Sequence, residues 1–293
     1  MKVYCVIVCY FPEKPALERL CNVIIEEDGV VVLVDNSGSD GSLLGRIVDN
    51  VLLVTPLQNT GIARGQNIGV EKALACGADV IIFFDQDTTV PRGVIKTLVS
   101  ELEVGVPDIV APIVYDDVGQ VAFPSLRVSS RGFRKSIHLD GVSEPYEVDV
   151  VISSGTTATK EVFQAGVRLD EDLFIDYVDV EWCLRSRAAG IRIRVVPQAV
   201  IHHRIGSRSE SLGSLLISVH APSRCYYQIR NAFHLGKKPH VPKAFFLREL
   251  VSTFVNRGLL LFFVEDVQRY LLAYWRGFID GVRGVVGPRE FPD

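Results

Sequence analysis

The chain has 293 residues, 48% of them hydrophobic, with 31 Lys and Arg set against 35 Asp and Glu. This length buries a core as one large domain or two modest ones, and the 23% charged, 9% aromatic composition excludes a disordered or fibrous chain. A net charge of −4 sets the overall field against nucleic acid, so no nucleic-acid partner is expected.

Residues 1–8 form an apolar run that passes directly into Cys9-Tyr10-Phe11-Pro12, which reads as a first strand and not as a secretory signal. Short β-branched runs at 30–34, 51–54, 80–84 and 109–114 have the length of buried strands. Between them, 16–27, 61–76 and 91–103 place apolar residues three or four apart, the spacing of a helix, with Pro91 suited to a first turn and Gly77 to a helix end. Strands alternating with helices predict an α/β fold whose mostly parallel sheet is covered on both faces. Residues 116–152 read as short antiparallel pieces. A helix capped at Thr159, another over 179–189, and a strand over 191–196 closed by Pro197 follow.

Beyond about 210 the pattern is helical, which divides the chain into a catalytic unit, 1–210, and a C-terminal helical region, 211–293. Aromatic residues and arginines through 243–284 fit a packed subdomain or homodimer interface on one reading, and a surface resting on a membrane on another. No apolar run reaches the roughly 18 residues needed to span a bilayer. Six cysteines with no CxxC pair read as buried free thiols of a cytoplasmic protein. Charge is unevenly spread: across 184–238, Glu210 is the one acid among 10 basic residues. Such a stretch either meets a local anion, such as a phosphate, or is a solvated face whose arginines pair with the acidic half.

The sharpest chemical feature is Asp85-Gln86-Asp87, directly after the apolar run 80–84. Ligands of open α/β sheets sit at the carboxyl ends of strands, and two carboxylates leaving a buried strand are costly unless neutralised. Mg²⁺ or Mn²⁺ bridging a diphosphate would neutralise them; a polar loop capping the next helix is the plainer alternative. Asp35 repeats the placement after 30–34, in the turn-rich stretch Asp35-Asn36-Ser37-Gly38-Ser39-Asp40-Gly41. Gly61, Gly65 and Gly69 share one helix face, which means close packing or close approach to a ligand. Asp179 falls at a helix start, where the macrodipole favours the ionised carboxylate that a general base requires; a simple cap is the alternative. His203, in the pair His202-His203, is either a metal ligand or structural. Neither GxGxxG nor a Walker loop, a GxSxG elbow or HExxH occurs, which removes the signatures of dehydrogenases, P-loop ATPases and common hydrolases.

Taken in order, Val6-Ile7-Val8-Cys9-Tyr10, Val34-Asp35-Asn36-Ser37, Asn59-Thr60-Gly61-Ile62-Ala63 with Asn67 and Gly69, Phe84-Asp85-Gln86-Asp87-Thr88, residues 170–185 and His203-Arg204-Ile205-Gly206 resemble the inverting, GT-A-fold glycosyltransferases of family 2. Within that family the likeness is to bacterial rhamnosyltransferases that use dTDP-rhamnose. The resemblance implies that Tyr10 and Asp35 contact the nucleotide base, that Asp85 lies against ribose and diphosphate, and that Asn67 and Gln86 belong to the same donor site. It implies that Asp87 binds a divalent metal completed by His203, that Ser154 and Gly155 shape the sugar and acceptor pocket, and that Asp179 is the catalytic base. A dTDP-sugar donor and a glycan or lipid-linked glycan acceptor at the inner face of a membrane follow from the same likeness. Val178 stands where many members have Glu before the catalytic Asp, and Cys9 and Phe11 replace the more usual Thr and Asn. Another donor, such as UDP-galactofuranose or UDP-GlcNAc, keeps the same mechanism, and a non-catalytic glycan-binding protein is the rival of a different class. A sugar nucleotidyltransferase would need a Gly-rich basic loop where Cys9-Tyr10-Phe11-Pro12 stands.

Overall fold

Strand β1 (Val3–Cys9) explains the architecture, because its residues alternate between two buried environments. Tyr4, Val6 and Val8 enter one apolar core, and Cys5, Ile7 and Cys9 enter another on the opposite face. A strand buried on both sides must be apolar throughout, which is why the run carries no polar alternation. The computed structural model describes residues 1–38, 51–116, 121–137, 142–203, 209–212 and 215–290.

In chain order, β1 is followed by α1 (Lys14–Glu26), β2 (Val30–Asp35), β3 (Val51–Val54), α2 (Gly61–Ala75), β4 (Val80–Asp85), α3 (Val94–Ser100) and β5 (Asp108–Asp116). Short strands β6 (Val121–Ala122), β7 (Ser125–Val128), β8 (Arg134–Ile137), β9 (Tyr146–Val148) and β10 (Thr157–Thr159) lead to α4 (Lys160–Gln164). A 3₁₀ turn (Glu171–Leu173), α5 (Val178–Ala188), β11 (Arg192–His203), the hairpin β12 (Ser209–Leu212) and β13 (Leu215–Ser218), then α6 (Pro222–Leu235), α7 (Lys243–Leu260) and α8 (Val267–Arg283) complete the described chain.

The main sheet runs β3-β2-β1-β4-β10-β5-β11-β9, with β6 attached to β5. Pairs β3–β2, β2–β1, β1–β4 and β5–β11 are parallel, whereas β10 is antiparallel to both neighbours. The register sets Cys9 opposite Asp35 and Val8 opposite Asp85, so the carboxyl ends of three strands share one edge. The mostly parallel, helix-covered sheet expected from the alternation is present, and the pieces after residue 116 are antiparallel as expected.

Several local expectations are corrected. Pro197 does not close its strand: β11 continues through it to His203, with a register shift between Val196 and Val200 that accommodates a residue lacking an N–H. Pro91 precedes α3, which starts beyond Gly93 (φ 89°). Thr159 precedes α4 but does not cap it; its hydroxyl donates to the Val106 carbonyl and accepts from the Asp108 amide. The region after 210 opens with a hairpin before it turns helical, and the expected boundary at 210 lies inside β12.

Gly65 and Gly69 pack α2 on β1. A Cβ on Gly69 would stand 2.2 Å from Cγ1 of Val6, and one on Gly65 2.8 Å from Cγ1 of Val8. The cysteines are free thiols as read, five buried and Cys76 partly so. Of the basic stretch, Arg185 pairs with Glu181, Arg187 with Asp149, Arg192 with Glu103 and Arg194 with Asp108, which favours the ion-pairing reading there. Arg204 and Arg208, like Ser39, Asp40, Gly41, Ile205 and Gly206, lie outside the described residues.

On the outer side, α7 exposes Leu247, Val251, Phe254 and Val255, and α8 exposes Leu271, Leu272, Trp275 and Val282. The two stripes meet where Phe278 contacts both Phe254 and Trp275. The carboxylates of these helices, Glu249 and Asp280, point inward to Arg134 and Tyr226, while Lys243, Arg248, Arg269 and Arg283 are exposed. No described helix is long and apolar enough to cross a membrane.

Candidate active site

The carboxyl edge of β1, β2 and β4 opens into a cleft of about 1560 Å³. Tyr10, Asp85, Gln86, Asp87, Asp179 and His203 all line it. Sequence positions up to 193 apart thus converge on one cavity because parallel strands deliver their ends to a single edge.

Asp85 ends β4 and Asp87 follows two residues later. His203, the last residue of β11, stands between them, with Nε2 3.4 Å from Asp85 Oδ2 and Nδ1 3.3 Å from Asp87 Oδ1. Burial pushes the Asp85 carboxyl up and Asp87 adds to it, while His203 and Arg224 oppose the shift. No three His, Cys, Asp or Glu side chains among the described residues are arranged to hold a metal ion. The donor chemistry nonetheless fits one: two carboxylates and an imidazole suit Mg²⁺ or Mn²⁺, and buried Nδ1 of His203 makes no hydrogen bond. Thr88 fixes the turn from behind, its hydroxyl 2.7 Å from that of Ser154, which in turn accepts from the Asp85 amide.

Gln86 ties this turn to the end of β1. Its Oε1 accepts from the Tyr10 amide at 2.7 Å and its Nε2 donates to the Tyr10 carbonyl at 3.2 Å. The Tyr10 ring is left exposed at the mouth of the cleft, edge-on to Phe11. Such a ring offers a stacking face to a flat group.

Other expected residues lie behind the wall. Asp35 is fully buried and accepts from the Ser37 amide; the next residue, Asn36, lines the cleft and bonds Asn59, Thr60 and Gly61 at the start of α2. Asn67 is engaged at both ends of its amide, with Leu169 and Glu171. Ser154 and Gly155 are packed under β4, where a Cβ on Gly155 (φ 77°) would stand 2.4 Å from Pro112. Ser153, hydrogen-bonded to Gln66, takes the lining position instead.

Asp179 sits in the first turn of α5 and accepts from the Val180 amide at 2.8 Å. That bond favours the charged form, as expected of a helix start, but burial outweighs it and, with Asp85 and Asp176 nearby, pushes the carboxyl up to about 6. It remains mostly ionised at pH 7 and is a stronger base than an ordinary carboxylate.

The loop before α5 is strained. Phe174, Asp176 and Tyr177 have φ of 65°, 63° and 64°, a region L-residues enter at a cost on the order of 1 kcal/mol or more each. Phe174, Ile175, Asp176 and Tyr177 all line the cleft, as do Arg224, Tyr227, Arg276 and Arg289. Arg224 grips the Asp176 carboxylate through Nε and Nη2 at 3.1–3.2 Å. Asp176 falls within the 170–185 stretch and Arg224 within the basic stretch 184–238, but no glycine marks the strain in the sequence.

A model of the glycosyl transferase family 2 domain matches residues 5–165. A dTDP-rhamnosyl transferase from Shigella flexneri is 37% identical over 287 residues, 97% of each chain. Among solved structures, GalNAc-T7 with UDP, GalNAc and Mn²⁺ is similar at a TM-score of 0.56 and 15% identity, over 87% of this chain and 56% of that one. Staphylococcus aureus TarS 1–349 with UDP-GlcNAc is similar at 0.53 and 16%, over 97% of this chain and 82% of that one. These two likenesses concern the fold.

Proposed function

Because this chain belongs to glycosyl transferase family 2, we propose that it is an inverting rhamnosyltransferase that takes dTDP-L-rhamnose as donor and a hydroxyl of a cell-surface glycan as acceptor. The full-length identity to a dTDP-rhamnosyl transferase supports the donor. The observation that carries the mechanism is the placing of Asp179 and the Asp85–Asp87–His203 group on one cleft.

Asp179 acts as general base. The acceptor oxygen attacks the anomeric carbon from the face opposite the nucleotide, the bond from that carbon to the diphosphate oxygen breaks, and the hydroxyl proton passes to Asp179. The hydroxyl becomes acidic only as the new bond forms, so a carboxylate of pKa about 6 suffices late in the step. Asp87 and His203, with Asp85, would hold Mg²⁺ or Mn²⁺, which would supply stabilisation of the charge on the departing diphosphate. Tyr10 stacks on the base. Asp35, Asn67, Ser154 and Gly155 support the donor site from behind its wall, while Gln86 braces the Asp85 turn against β1.

The acceptor in this reading is a glycan or a lipid-linked glycan, and the apolar, cation-flanked face of α7 and α8 supports peripheral contact with the inner surface of a membrane. Thermal unfolding with dTDP, UDP and GDP, each with and without Mn²⁺ or Mg²⁺, tests the donor. Selective binding stabilises by about 2.7 kcal/mol at a hundredfold excess over Kd. The expected result is a metal-dependent shift largest with dTDP. A larger shift with UDP would keep the fold chemistry and replace the sugar; no shift with any nucleotide would remove the reading.

A further inference from the structure

The strained loop before α5 is held from α6 by two fully buried polar side chains, Arg230 and Asn231. Nδ2 of Asn231 donates to the carbonyls of Leu173, Ile175 and Asp176 at 2.7–3.1 Å. Nη2 of Arg230 donates to those of Asp172 and Leu173 at 3.1 and 2.9 Å, its Nη1 to that of Gly287, and its Nε to Asn231 Oδ1 at 3.0 Å. The guanidinium lies 4.8 Å from the ring of Tyr227, which stacks on Phe174. From the other side, the Ile62 amide of α2 donates to the Phe174 carbonyl at 2.7 Å, and a Cβ on Gly61 would stand 2.5 Å from that oxygen.

A buried arginine bonded to carbonyl oxygens is a costly way to stabilise a core, and apolar residues fill such volume more cheaply. What polar donors achieve here, and apolar ones do not, is to fix where successive carbonyls point. Three left-handed residues in a row of four persist only where the surroundings over-determine them. The loop so fixed ends at Tyr177, the residue from which α5 and Asp179 start.

We propose that Arg230 and Asn231 are positioning residues for the Asp179 carboxylate, acting through residues 172–177. The inference rests on Asp179 being the base. It also gives the C-terminal segment a part in the site. The Gly287 amide donates to the Asp172 carbonyl while its own carbonyl accepts from Arg230, and Pro288, Arg289 and Glu290 then form one wall of the cleft.

The test is steady-state kinetics and thermal melting of Arg230→Lys and Asn231→Ser, with Asp179→Asn in parallel. Lys keeps the cation but not the fork; Ser keeps a polar group too short to reach three carbonyls. For positioning, kcat falls roughly tenfold or more while donor KM stays within about twofold, because a displaced base is felt in the transition state. The acid limb of kcat/KM also moves down from about 6, since a looser loop admits water to Asp179 between Asp85 and the Asp176–Arg224 pair. A lower melting temperature with kcat per folded enzyme and the acid limb unchanged would overturn the inference and leave the pair a fold element. Loss of folding in both variants would do the same. Full activity of Asp179→Asn would instead remove the base assignment itself, whereas an inactive Asp179→Asn beside two unaffected variants would remove only the positioning role.

Discussion

Two opposing effects meet on Asp179. The Val180 amide and the helix start favour its ionised form, yet burial, with Asp85 and Asp176 close by, sets its pKa at about 6. Between about pH 4 and 6 the folded chain therefore holds a proton that the unfolded chain has lost, so stability falls as pH rises through that window. Asp179→Asn should raise stability at pH 7 by on the order of 1 kcal/mol, with the gain fading below about pH 4, while kcat drops by about a hundredfold or more. Melting curves at pH 4 and 7, beside turnover, check both halves. An unchanged or lower melting temperature at pH 7 would mean that the carboxylate is not desolvated. Asp35 and Asn67 show the opposite outcome at the same scale. Both occur in motifs that point to ligands, and both place their side chains in the wall, because neighbouring amides and carbonyls claim them first.

Among the elements, α2 and β11 show how packing selects between readings that a pattern leaves open. The small-residue face of α2 is explained by contact: Gly69 and Gly65 let the helix axis approach Val6 and Val8. Gly69→Ala should destabilise by about 1–3 kcal/mol, as overpacking does, despite the higher helix propensity of alanine. Denaturant unfolding measures this, and a stabilised variant would show that β1 yields more readily than its two-sided burial implies. In β11, Pro197 looks like a stop, yet the strand resumes after the register shift because Ala199 and Ile201 are buried. That continuation carries His203 to Asp85 and Asp87. A strand ending at residue 196 would leave the imidazole short of them.

For the whole molecule, the C-terminal helices contribute on two sides. Inward, α6 holds the loop before α5 and α8 packs on α6 through Gly277 and Gly281, whose Cβ positions would meet Tyr226 and Phe233. Outward, α7 and α8 present the apolar face that ends in exposed Trp275, with both of their carboxylates turned in. The exposed cations beside this face complement an anionic bilayer, and a second copy of the chain is the alternative occupant. Flotation with vesicles containing anionic lipid should carry the protein up, and Phe254→Ala with Trp275→Ala should weaken this severalfold. Concentration-dependent dimerisation abolished by the same changes, without vesicle binding, would decide for the homodimer.

Local composition was sufficient to read the first five strands, the helices between them, and the carboxylates at strand ends. Burial on both faces of a parallel sheet demands continuous β-branched runs, and a strand that ends in Asp announces a site at its carboxyl edge. The ordered motifs likewise sufficed for the family. Tertiary structure alone decided that Asp35 and Asn67 turn into the wall, that Asn36 and Ser153 line the cleft, and that Arg230 is a buried clamp rather than an anion ligand. Those outcomes depend on which donors and acceptors reach one another across the fold, and on left-handed backbone at Phe174, Asp176 and Tyr177 that contacts far along the chain impose against local preference.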